Sequence, residues 1–465
     1  MKFHHFDPAI LREYDVRGEV GRQLGPADAY ALGRGFATVL REAGGQRVVV
    51  GRDGRISSPE LEAALVTGLA AGGVDVIRIG LGPTPMLYFA EASMKEVQGG
   101  IQVTGSHNPA NHNGFKMVLG GRPFCGEELR ELGRRAALGD WSEGSGVGES
   151  REILGAYVDR LLAALDGLDR AALARLRIGW DAGNGAAGPA LERLIEKLPG
   201  EHHALFTQVD GTFPHHHPDP TVEANLADLK ALVAAKSLHF GVAFDGDGDR
   251  IVVVDAKGRV LWGDQLLMIL AEDLLARAPG ATIIADVKAS QVLFDRIAAL
   301  GGRPVMGKTG HSLIKSEMKR IGAPLGGEMT GHLMFADEWY GFDDALYAAL
   351  RLIAATQRLG KSVTAMRDAM PEPVNTPELR ITVDDARKFA VVDEVAARLS
   401  AAGAQMATID GVRVTTPDGW WLLRASNTQD ALTLRAESAS AEGLAHLLAT
   451  ADAQLALSGV SRTQP

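Results

Sequence analysis

The sequence predicts an α/β fold for most of the chain, followed by a smaller α+β unit at the C-terminal end. Three successive blocks repeat one pattern, in which a short apolar segment is followed by a glycine-rich turn and then by an Ala/Leu-rich segment. Strands that alternate with helices in this way are typical of layered folds with mostly parallel sheets. In the last block, several strand-like segments combine with two helical segments. That arrangement predicts an antiparallel sheet.

The strand candidates of the three α/β blocks each end next to a polar turn. Ligands of such sheets bind at the carboxyl ends of the strands, so the turns are where we expect function. The candidates are Arg47–Val50, Asp75–Ile79 and Ile101–Val103 in the first block, Arg177–Trp180 and Phe240–Phe244 in the second, and Thr282–Ala285 and Pro304–Met306 in the third.

The last block contains four strand candidates and two helix candidates. The strands are Leu379–Val383, Val412–Thr415, Trp420–Arg424 and Leu432–Ala436. The helices are Ala386–Ala401, with Asp384 or Asp385 as its N-cap, and Ala441–Leu455.

Three segments have the composition of domain boundaries. Gly139–Ser150 is rich in Gly, Ser and Glu, and two further boundaries are expected near Asp255–Gly258 and at Met370–Pro373. We therefore predict four domains, over residues 1–148, 149–256, 257–369 and 370–465.

The overall charge and the cysteine content exclude several classes of protein. The net charge of −10 disfavours binding to nucleic acid or to an anionic membrane, so an anionic substrate requires local Arg and Lys clusters. Cys125 is the only cysteine, which fits a reducing cytoplasm. The first residues have no signal-peptide pattern, and no segment reaches the roughly 18 apolar residues of a membrane span. We expect a cytoplasmic protein.

The most informative motif is the acidic loop, Asp245–Arg250, which reads Asp-Gly-Asp-Gly-Asp-Arg. Three carboxylates this close together repel one another unless a cation lies between them, and hard oxygen ligands favour Mg²⁺. The loop is not an EF-hand, because Arg250 and Ala256 occupy the positions that require Gly and Glu. The alternative interpretation is a solvated acidic turn.

A second motif, Thr104–Pro109, follows the strand candidate that ends at Val103. A Gly before Ser106 exposes the hydroxyl on a tight turn, which makes Ser106 a candidate nucleophile or phosphate carrier. His107 is a further catalytic candidate, although neighbouring side chains often diverge. Taken alone, the segment is an ordinary turn more often than a site.

Two later loops carry polar side chains next to predicted strands. In Gly327–His332, Glu328 can accept hydrogen bonds from sugar hydroxyls and His332 can carry a proton. Arg424–Thr428 combines an Arg, two hydroxyls and an amide, which suits a phosphate group. The alternatives are a solvent-exposed turn for the first loop and a simple side-chain-capped turn for the second.

Two other motifs suggest different functions. Gly183–Gly188 matches the Gly-x-Gly-x-x-Gly pattern of dinucleotide sites, and Asp210 lies near the required distance downstream. This supports an alternative interpretation as a dinucleotide-dependent oxidoreductase, but the pattern alone is weak. His215–His217 resembles a metal-binding tract, although the prolines on both sides favour a rigid extended loop.

Together these loops resemble the α-D-phosphohexomutase superfamily, and most closely its bacterial phosphomannomutase/phosphoglucomutase branch. The resemblance covers essentially the whole chain. In order, the matching motifs are Tyr14–Gly18, Gly51–Arg55, the Ser106 loop, Asn113–Lys116, the acidic loop, Lys308–Ser312, the Glu328 loop and the Arg424 loop.

The resemblance implies four domains around a deep central cleft, three of them α/β with mixed sheets and the last a smaller α+β domain. It implies an Mg²⁺-dependent mutase that moves phosphate between O1 and O6 of a hexose through a phosphoserine at Ser106. A hexose 1,6-bisphosphate would serve as intermediate and activator. The partners would be small sugar phosphates, with neither nucleic acid nor membrane, and the protein would be a monomer.

The resemblance also assigns roles to residues. The metal ligands would be Asp245, Asp247, Asp249 and the phosphorylated Ser106. The catalytic side chains would be Arg17, His107, Lys116, Arg250 and His332, with Lys116 or His332 moving the hydroxyl proton. The sugar ligands would be Glu328 and Thr330, and the phosphate ligands Arg424, Ser426, Asn427 and Thr428. Tyr14, Lys288, His311 and His332 would complete the substrate site.

The sequence departs from the usual pattern of the branch at three places. Between Pro109 and Gly114 it reads Ala-Asn-His-Asn where Pro-Asp-Tyr-Asn is common, so any role of the missing aromatic ring is in doubt. Thr330 stands where the branch usually has Ser, and Asp430 stands where Pro often follows the Arg424 loop. A glucosamine-phosphate mutase is the nearest alternative, but Met329 favours the mannose/glucose branch, because the glucosamine branch typically carries Gln there. A sugar-phosphate binding protein without turnover is a further alternative, and the presence of Ser106 and the three aspartates argues against it.

Overall fold

The computed structural model describes residues 2–426 and 430–462. Four β-sheets follow one another along the chain, and helices pack against them. This confirms the predicted α/β class with a smaller α+β unit at the end. We refer to the four sheets with their helices as the first to fourth units. The predicted domain boundaries themselves stay predictions.

The first unit contains a seven-stranded sheet with the order β1-β5-β4-β2-β3-β7, and β6 pairs with β5. Its elements are β1 (Val16–Glu19), α1 (Pro26–Glu42), β2 (Arg47–Arg52), α2 (Ser58–Ala71), β3 (Asp75–Leu81), α3 (Thr84–Ser93), β4 (Gly99–Val103), β5 (His112–Leu119), β6 (Arg122–Pro123), α4 (Glu127–Leu138) and β7 (Gly148–Ser150).

The second unit contains a five-stranded sheet with the order β12-β11-β10-β8-β9. Its elements are α5 (Leu154–Leu162), α6 (Arg170–Leu173), β8 (Arg177–Asp181), α7 (Gly188–Ile195), β9 (Glu201–Leu205), α8 (Ala227–Lys236), β10 (Phe240–Phe244), β11 (Ile251–Asp255) and β12 (Val260–Leu261).

The third unit contains a four-stranded sheet with the order β14-β13-β15-β16. Its elements are α9 (Gly263–Arg277), β13 (Thr282–Asp286), α10 (Gln291–Ala299), β14 (Arg303–Gly307), α11 (His311–Ile321), β15 (Leu325–Gly327), β16 (Leu333–Phe335), α12 (Ala345–Leu359) and α13 (Val363–Asp368).

The fourth unit contains a six-stranded sheet in which all pairs are antiparallel. Its order is β17-β22-β21-β20-β19, and β18 also pairs with β22. Its elements are β17 (Val374–Asn375), β18 (Leu379–Thr382), α14 (Asp385–Ala401), β19 (Met406–Ala407), β20 (Val412–Thr416), β21 (Gly419–Ala425), β22 (Ala431–Ser438) and α15 (Ala441–Leu457).

The first three sheets are mixed, which confirms what the family resemblance implies and corrects the mostly parallel sheets that the strand–helix pattern predicts. Strands β2, β3 and β4 pair in parallel, but β5 returns antiparallel to β4, and β11 returns antiparallel to β10. Both antiparallel pairs flank short polar loops, and a short connection can join only antiparallel neighbours. The sequence pattern did not reveal this direction, because β11 is as apolar and as buried as a parallel strand.

One hydrophobic core contains residues of the first, second and third units and so joins these three units. Trp180 of β8, Leu267 of α9 and Tyr347 of α12 are all fully buried in this cluster. The fourth unit has a separate core around Trp421 and Leu434. The polar loops at the strand ends of all four units meet in one cleft.

Candidate active site

The cleft has a volume of about 470 Å³ and is lined by residues of the first, third and fourth units together with Arg250 of the second. Its walls carry seven Lys and Arg side chains but only three carboxylates, so an anion is attracted there despite the net charge of −10. The cations are Arg12, Arg17, Lys116, Arg250, Lys288, Arg380 and Arg424, and the carboxylates are Asp15, Glu328 and Glu378.

The structure brings together thirteen of the side chains that the sequence suggested for catalysis and substrate binding. Those that line the cleft are Tyr14, Arg17, Ser106, His107, Lys116, Arg250, Lys288, His311, Glu328, Thr330, His332, Arg424 and Ser426. The predicted phosphate ligands Asn427 and Thr428 lie outside the described residues.

Ser106 lines the cleft directly beside the acidic loop. Its Oγ is 3.1 Å from Asp245 Oδ2 and 3.1 Å from His107 Nδ1. Its φ of 49° is in the left-handed region, which is uncommon for a residue other than glycine. Such a conformation persists only where the surroundings hold it, and it is found most often at functional sites.

Arg55 provides that support. Its guanidinium donates to the backbone carbonyls of the loop, at 2.8 Å for Ser106 and 2.6 Å for Asn108. It also donates to the carbonyls of Pro109 and His112. A side chain at Gly105 would lie 2.4 Å from Arg55 Nε, so glycine is required there. The sequence showed Arg55 only as part of a motif, with no role.

The acidic loop connects β10 to β11 directly beneath Ser106. Asp245, Asp247 and Asp249 are fully buried, and each contributes an oxygen that lies within 4.8 Å of the others. Gly246 allows this approach, because a Cβ there would be 2.4 Å from the carbonyl oxygen of Ser106. The burial excludes the alternative of a solvated turn.

The charges of this cluster are unbalanced without a cation. Burial and the two neighbouring aspartates raise the pKa of Asp245 well above its usual range. Burial also acts to raise the pKa of Asp247, but the Lys116 ammonium, 2.7 Å from its Oδ2, outweighs this and lowers the pKa.

The donor set fits a hard divalent cation. The Oδ1 atoms of Asp247 and Asp249 accept no hydrogen bond from any residue in the described ranges, although both are buried. Buried carboxylate oxygens without a donor are the ligands that Mg²⁺ prefers. The three aspartates, with an oxygen on Ser106, are therefore the residues that could hold it.

His107 and Lys116 differ in protonation. Burial in the cleft, together with Arg250 and Arg17, lowers the pKa of His107 well below its usual range, so its imidazole is neutral. Burial acts to lower the pKa of Lys116 too, but Asp247 and Asp249 raise it above its ordinary value. The lysine therefore stays a cation, and the neighbouring histidine carries no charge.

His332 is engaged through both ring nitrogens. Its Nδ1 lies 2.8 Å from Asp343 Oδ2, and Arg250 Nε donates to its Nε2 at 2.9 Å. This pairing orients the Arg250 guanidinium. Asp343 was not found from the sequence, where it lies eleven residues beyond the loop and has no pattern of its own.

His311 stacks on His332, with 4.9 Å between the ring centroids. Burial, and then Lys315, lowers the pKa of His311. Lys315 donates to the second oxygen of Asp343 at 2.8 Å. Asp343 Oδ2 also lies 3.3 Å from His311 Nδ1, so one buried carboxylate contacts both imidazoles.

Glu328 remains a carboxylate inside the cleft. Burial acts to raise its pKa, but His332, Lys288 and His311 outweigh this and lower it. Its oxygens accept hydrogen bonds from the Gly310 amide and, at 3.3 Å, from the Thr330 hydroxyl.

A second group of cleft residues lies where the fourth unit meets the third. Arg424 Nε donates to Asp410 Oδ2 at 3.1 Å, and the Thr309 amide donates to the same oxygen at 3.0 Å. Lys288 Nζ donates to Glu378 at 3.2 Å. Asp410 and Glu378 were both missed by the sequence analysis, because neither belongs to a motif.

The Gly183–Gly188 loop does not form a dinucleotide site. The amides of Gly183, Asn184, Gly185 and Ala186 all donate to protein oxygens, so they are not available to a pyrophosphate. A side chain at Gly185 would lie 2.8 Å from the Gly246 carbonyl oxygen. Gly185 therefore allows this loop to pack closely against the acidic loop of the same unit.

The histidine tract also has a structural role. His215 stacks on Phe206 with 3.9 Å between the ring centroids, and His216 Nε2 contacts Asp181 Oδ2 at 3.1 Å. Within the described part of the chain, the clusters that could hold a metal are the three aspartates and the group of His311, His332 and Asp343.

Comparison with known families matches all four units. The models of the phosphoglucomutase/phosphomannomutase α/β/α domains I, II and III match residues 9–139, 155–258 and 262–374. The model of the C-terminal domain of the same family matches residues 378–454. The chain belongs to the phosphoglucomutase/phosphomannomutase family. It is therefore a phosphohexomutase, an enzyme of the isomerase class.

The relatives of this phosphohexomutase match over nearly their whole length. The chain is 43% identical to a phosphomannomutase/phosphoglucomutase of Pseudomonas aeruginosa over 437 residues, which is 94% of this chain and 93% of the relative. It is 42% identical to a phosphoglucomutase of Neisseria gonorrhoeae over 434 residues, covering 92% and 93% of the two chains.

A solved structure shows the same architecture. A phosphoglucomutase/phosphomannomutase family protein of Burkholderia thailandensis superimposes with a TM-score of 0.92 at 41% identity, covering 99% of this chain and all of that one. Among the described residues, no helix is both long and apolar enough to cross a membrane.

Proposed function

We propose that this phosphohexomutase interconverts the 1-phosphates and 6-phosphates of mannose and glucose through a phosphorylated Ser106 and a hexose 1,6-bisphosphate. The observation that carries the proposal is the position of Ser106 Oγ, which lies between a buried triad of carboxylates and a cleft lined by cations. The Pseudomonas aeruginosa relative bears the name of both activities.

We propose Mg²⁺ as the cofactor, held by Asp245, Asp247, Asp249 and an oxygen of the phosphorylated Ser106. When bound, the ion neutralises negative charge on the phosphoryl group during transfer. The orphaned oxygens of Asp247 and Asp249 support this assignment. Lys116 adds a second positive charge at the same carboxylates.

The chemical step exchanges one P–O bond for another. The bond between Ser106 Oγ and phosphorus breaks, and a bond forms between phosphorus and the free O1 or O6 of the hexose phosphate. The attacking hydroxyl loses a proton, and Ser106 Oγ gains one. His107, whose Nδ1 lies 3.1 Å from Oγ, is placed to pass on the proton that Oγ gains, and Lys116 or His332 would move the proton of the attacking hydroxyl. Lys116 and Arg250 stabilise the charge of the transferring group.

The hexose 1,6-bisphosphate then turns within the cleft and returns its other phosphate to Ser106. A site that must accept the sugar both ways round has to recognise features that are common to both orientations. Glu328 and Thr330 would bind two adjacent sugar hydroxyls, and Arg424 and Ser426 the phosphate that is not transferred. We further propose that small sugar phosphates are the partners and that the enzyme acts as a monomer in the cytoplasm.

Phosphorus NMR tests the proposal. The protein is supplied with Mg²⁺, a trace of glucose 1,6-bisphosphate, and equal mannose 1-phosphate and glucose 1-phosphate. We expect the resonances of both 6-phosphates to appear, with relative rates that give the preferred hexose. If both 1-phosphates persist, the proposed substrates are wrong, and glucosamine 6-phosphate is the next substrate to test.

A further inference from the structure

Three side chains form a row across the fourth sheet where it faces the cleft. Arg380 of β18 lies opposite Thr433 of β22, and Thr433 lies opposite Arg424 of β21. Directly opposite residues of antiparallel strands point to the same face of the sheet. All three line the cleft, although only Arg424 belongs to the phosphate-binding loop found from the sequence.

Thr433 is the central member of this row. The residue is 6% exposed, and its hydroxyl makes no hydrogen bond within residues 2–426 and 430–462. A buried hydroxyl without a partner is destabilising, so native proteins seldom keep one unless something else satisfies it. Because Thr433 is one of the residues that line the cleft, the group that satisfies its hydroxyl would be a ligand bound there.

Arg380 contributes a cation with free donors. It is exposed, and the described residues offer it neither a hydrogen bond nor an ion pair. Arg424 differs, because Asp410 holds its guanidinium in place. Adjacent strands are about 4.8 Å apart, so the two arginines start roughly 10 Å from each other and can both reach a group above Thr433.

We propose that Arg380 and Thr433 bind the phosphate group that is not being transferred, opposite Arg424. The Thr433 hydroxyl donates to one phosphate oxygen, and the Arg380 guanidinium donates to others. An arginine fork and a hydroxyl match the tetrahedral oxygens of a phosphate monoester. This inference rests on the proposed function, and it adds two ligands outside the Arg424 loop. Because they recognise phosphate rather than sugar, they should act equally on mannose and glucose substrates.

Two conservative variants test the inference. Thr433→Val keeps the shape and removes the hydroxyl, and Arg380→Gln removes the charge from an exposed position. For each we expect KM for mannose 1-phosphate and for glucose 1-phosphate to rise about fivefold, with kcat within about twofold of the wild type. The Kd of glucose 6-phosphate, measured by calorimetry, should rise by the same factor.

Matched controls lie on the same unit away from the cleft. Thr415→Val is on an exposed part of β20, and Arg387→Gln is on α14, where Arg387 pairs with Glu394. Both should leave KM unchanged.

If the wild type isomerises the substrates but Thr433→Val and Arg380→Gln keep its KM and Kd, the inference is overturned and the proposed function stands. If the wild type does not turn over, the Kd of inorganic phosphate decides: weaker binding by both variants supports the inference, and equal binding overturns it.

Discussion

Two parts of the cleft are built in different ways. We call the part around Ser106, where we propose phosphoryl transfer, the reacting end, and the part around Arg424, where we propose that phosphate is held, the phosphate-binding end. At the reacting end, Ser106, Lys116 and the three aspartates are almost completely buried, and the charges lie in contact with one another. At the phosphate-binding end, Arg380 is exposed, while Arg424 and Lys288 are held by single carboxylates at the meeting of the third and fourth units.

This difference matches the different requirements of phosphoryl transfer and of phosphate binding. Transfer of a phosphoryl group requires charges that are fixed before the reaction and shielded from water, because electrostatic stabilisation is stronger there. Holding a phosphate on a sugar that must turn around requires contacts that form and break. The reacting end should therefore respond to substitutions through kcat, and the phosphate-binding end through KM.

Replacing the phosphate carrier should have the largest effect. For Ser106→Ala we expect kcat to fall at least about 10⁴-fold, because the Ser106 hydroxyl contacts the acidic loop and Ser106 also lines the cleft. The circular dichroism spectrum should be unchanged. Turnover at the wild-type rate would show that Ser106 is not the phosphate carrier.

Replacing a central aspartate should have the next largest effect. In Asp247→Asn one negative charge is lost from the triad, so we expect kcat to fall about 10²- to 10³-fold and the half-saturating Mg²⁺ concentration to rise. The matched control is Asp368→Asn, which affects a surface pair with Lys257. An unchanged Mg²⁺ titration would mean that the acidic loop is not the metal site.

Replacing Arg55, which supports the Ser106 loop, tests whether its buried hydrogen bonds hold Ser106 in position. Arg55→Gln leaves buried carbonyls without a donor, so we expect kcat to fall about 10- to 100-fold and the free energy of unfolding to fall by about 3 kcal/mol. Arg78→Gln, at a partly exposed pair with Glu62 in the same unit, is the control. Chemical denaturation and steady-state kinetics measure both effects. Wild-type kinetics in Arg55→Gln would contradict the supporting role.

A substitution at the phosphate-binding end should show the opposite response. Asp410→Asn weakens the contact that holds Arg424, so we expect KM for both hexose phosphates to rise about fivefold with kcat within about twofold. Asp452→Asn, which affects a surface pair with Arg462, should change neither value. A loss of kcat with constant KM would contradict the expectation that the phosphate-binding end acts through KM.

The smallest effect on activity is expected at Asp344, the N-cap of α12, next to the cleft wall. Burial raises its pKa to about 7 in the folded state, so the stability that its protonated form contributes is lost as pH rises toward 7. Asp344→Asn lacks this titration. Between pH 4 and pH 7, the free energy of unfolding of the wild type should fall by up to about 4 kcal/mol relative to the variant.

Urea unfolding of both proteins at several pH values measures this difference, and kcat at pH 7.5 should agree within about twofold. A constant difference between the two proteins from pH 4 to pH 7 would show that Asp344 is ionised throughout. The residue would then be a simple helix cap.

Much of the site could be predicted because its chemistry is local in sequence. Asp245, Asp247 and Asp249 alternate with glycines, and Ser106 stands on a glycine turn after a strand, so each motif carries its own chemistry. A local motif can also serve packing alone: the Gly183–Gly188 pattern supported only a weak dinucleotide alternative, and Gly185 allows close packing against the acidic loop.

The supporting residues could not be predicted, because they act on distant segments. Arg55 contacts a loop 51 to 57 residues away, and Asp410 holds Thr309 from 101 residues away. Asp343 orients His332 and Arg250, yet nothing in its surrounding sequence distinguishes it from an ordinary helix-capping segment. The direction of β5 and β11 was also hidden, because full burial removes the polar alternation that identifies an antiparallel strand.

The sequence by itself determined the fold class, the order of the four units, and the identity of the serine, aspartate and arginine loops. Periodicity and local motifs carry that information. The tertiary structure alone decided which charges neutralise which, why His107 is neutral while Lys116 is charged, and that Arg380 and Thr433 line the same cleft as Arg424. The physical reason is that pKa values, burial and cross-strand neighbours depend on distances between residues that are far apart in the chain.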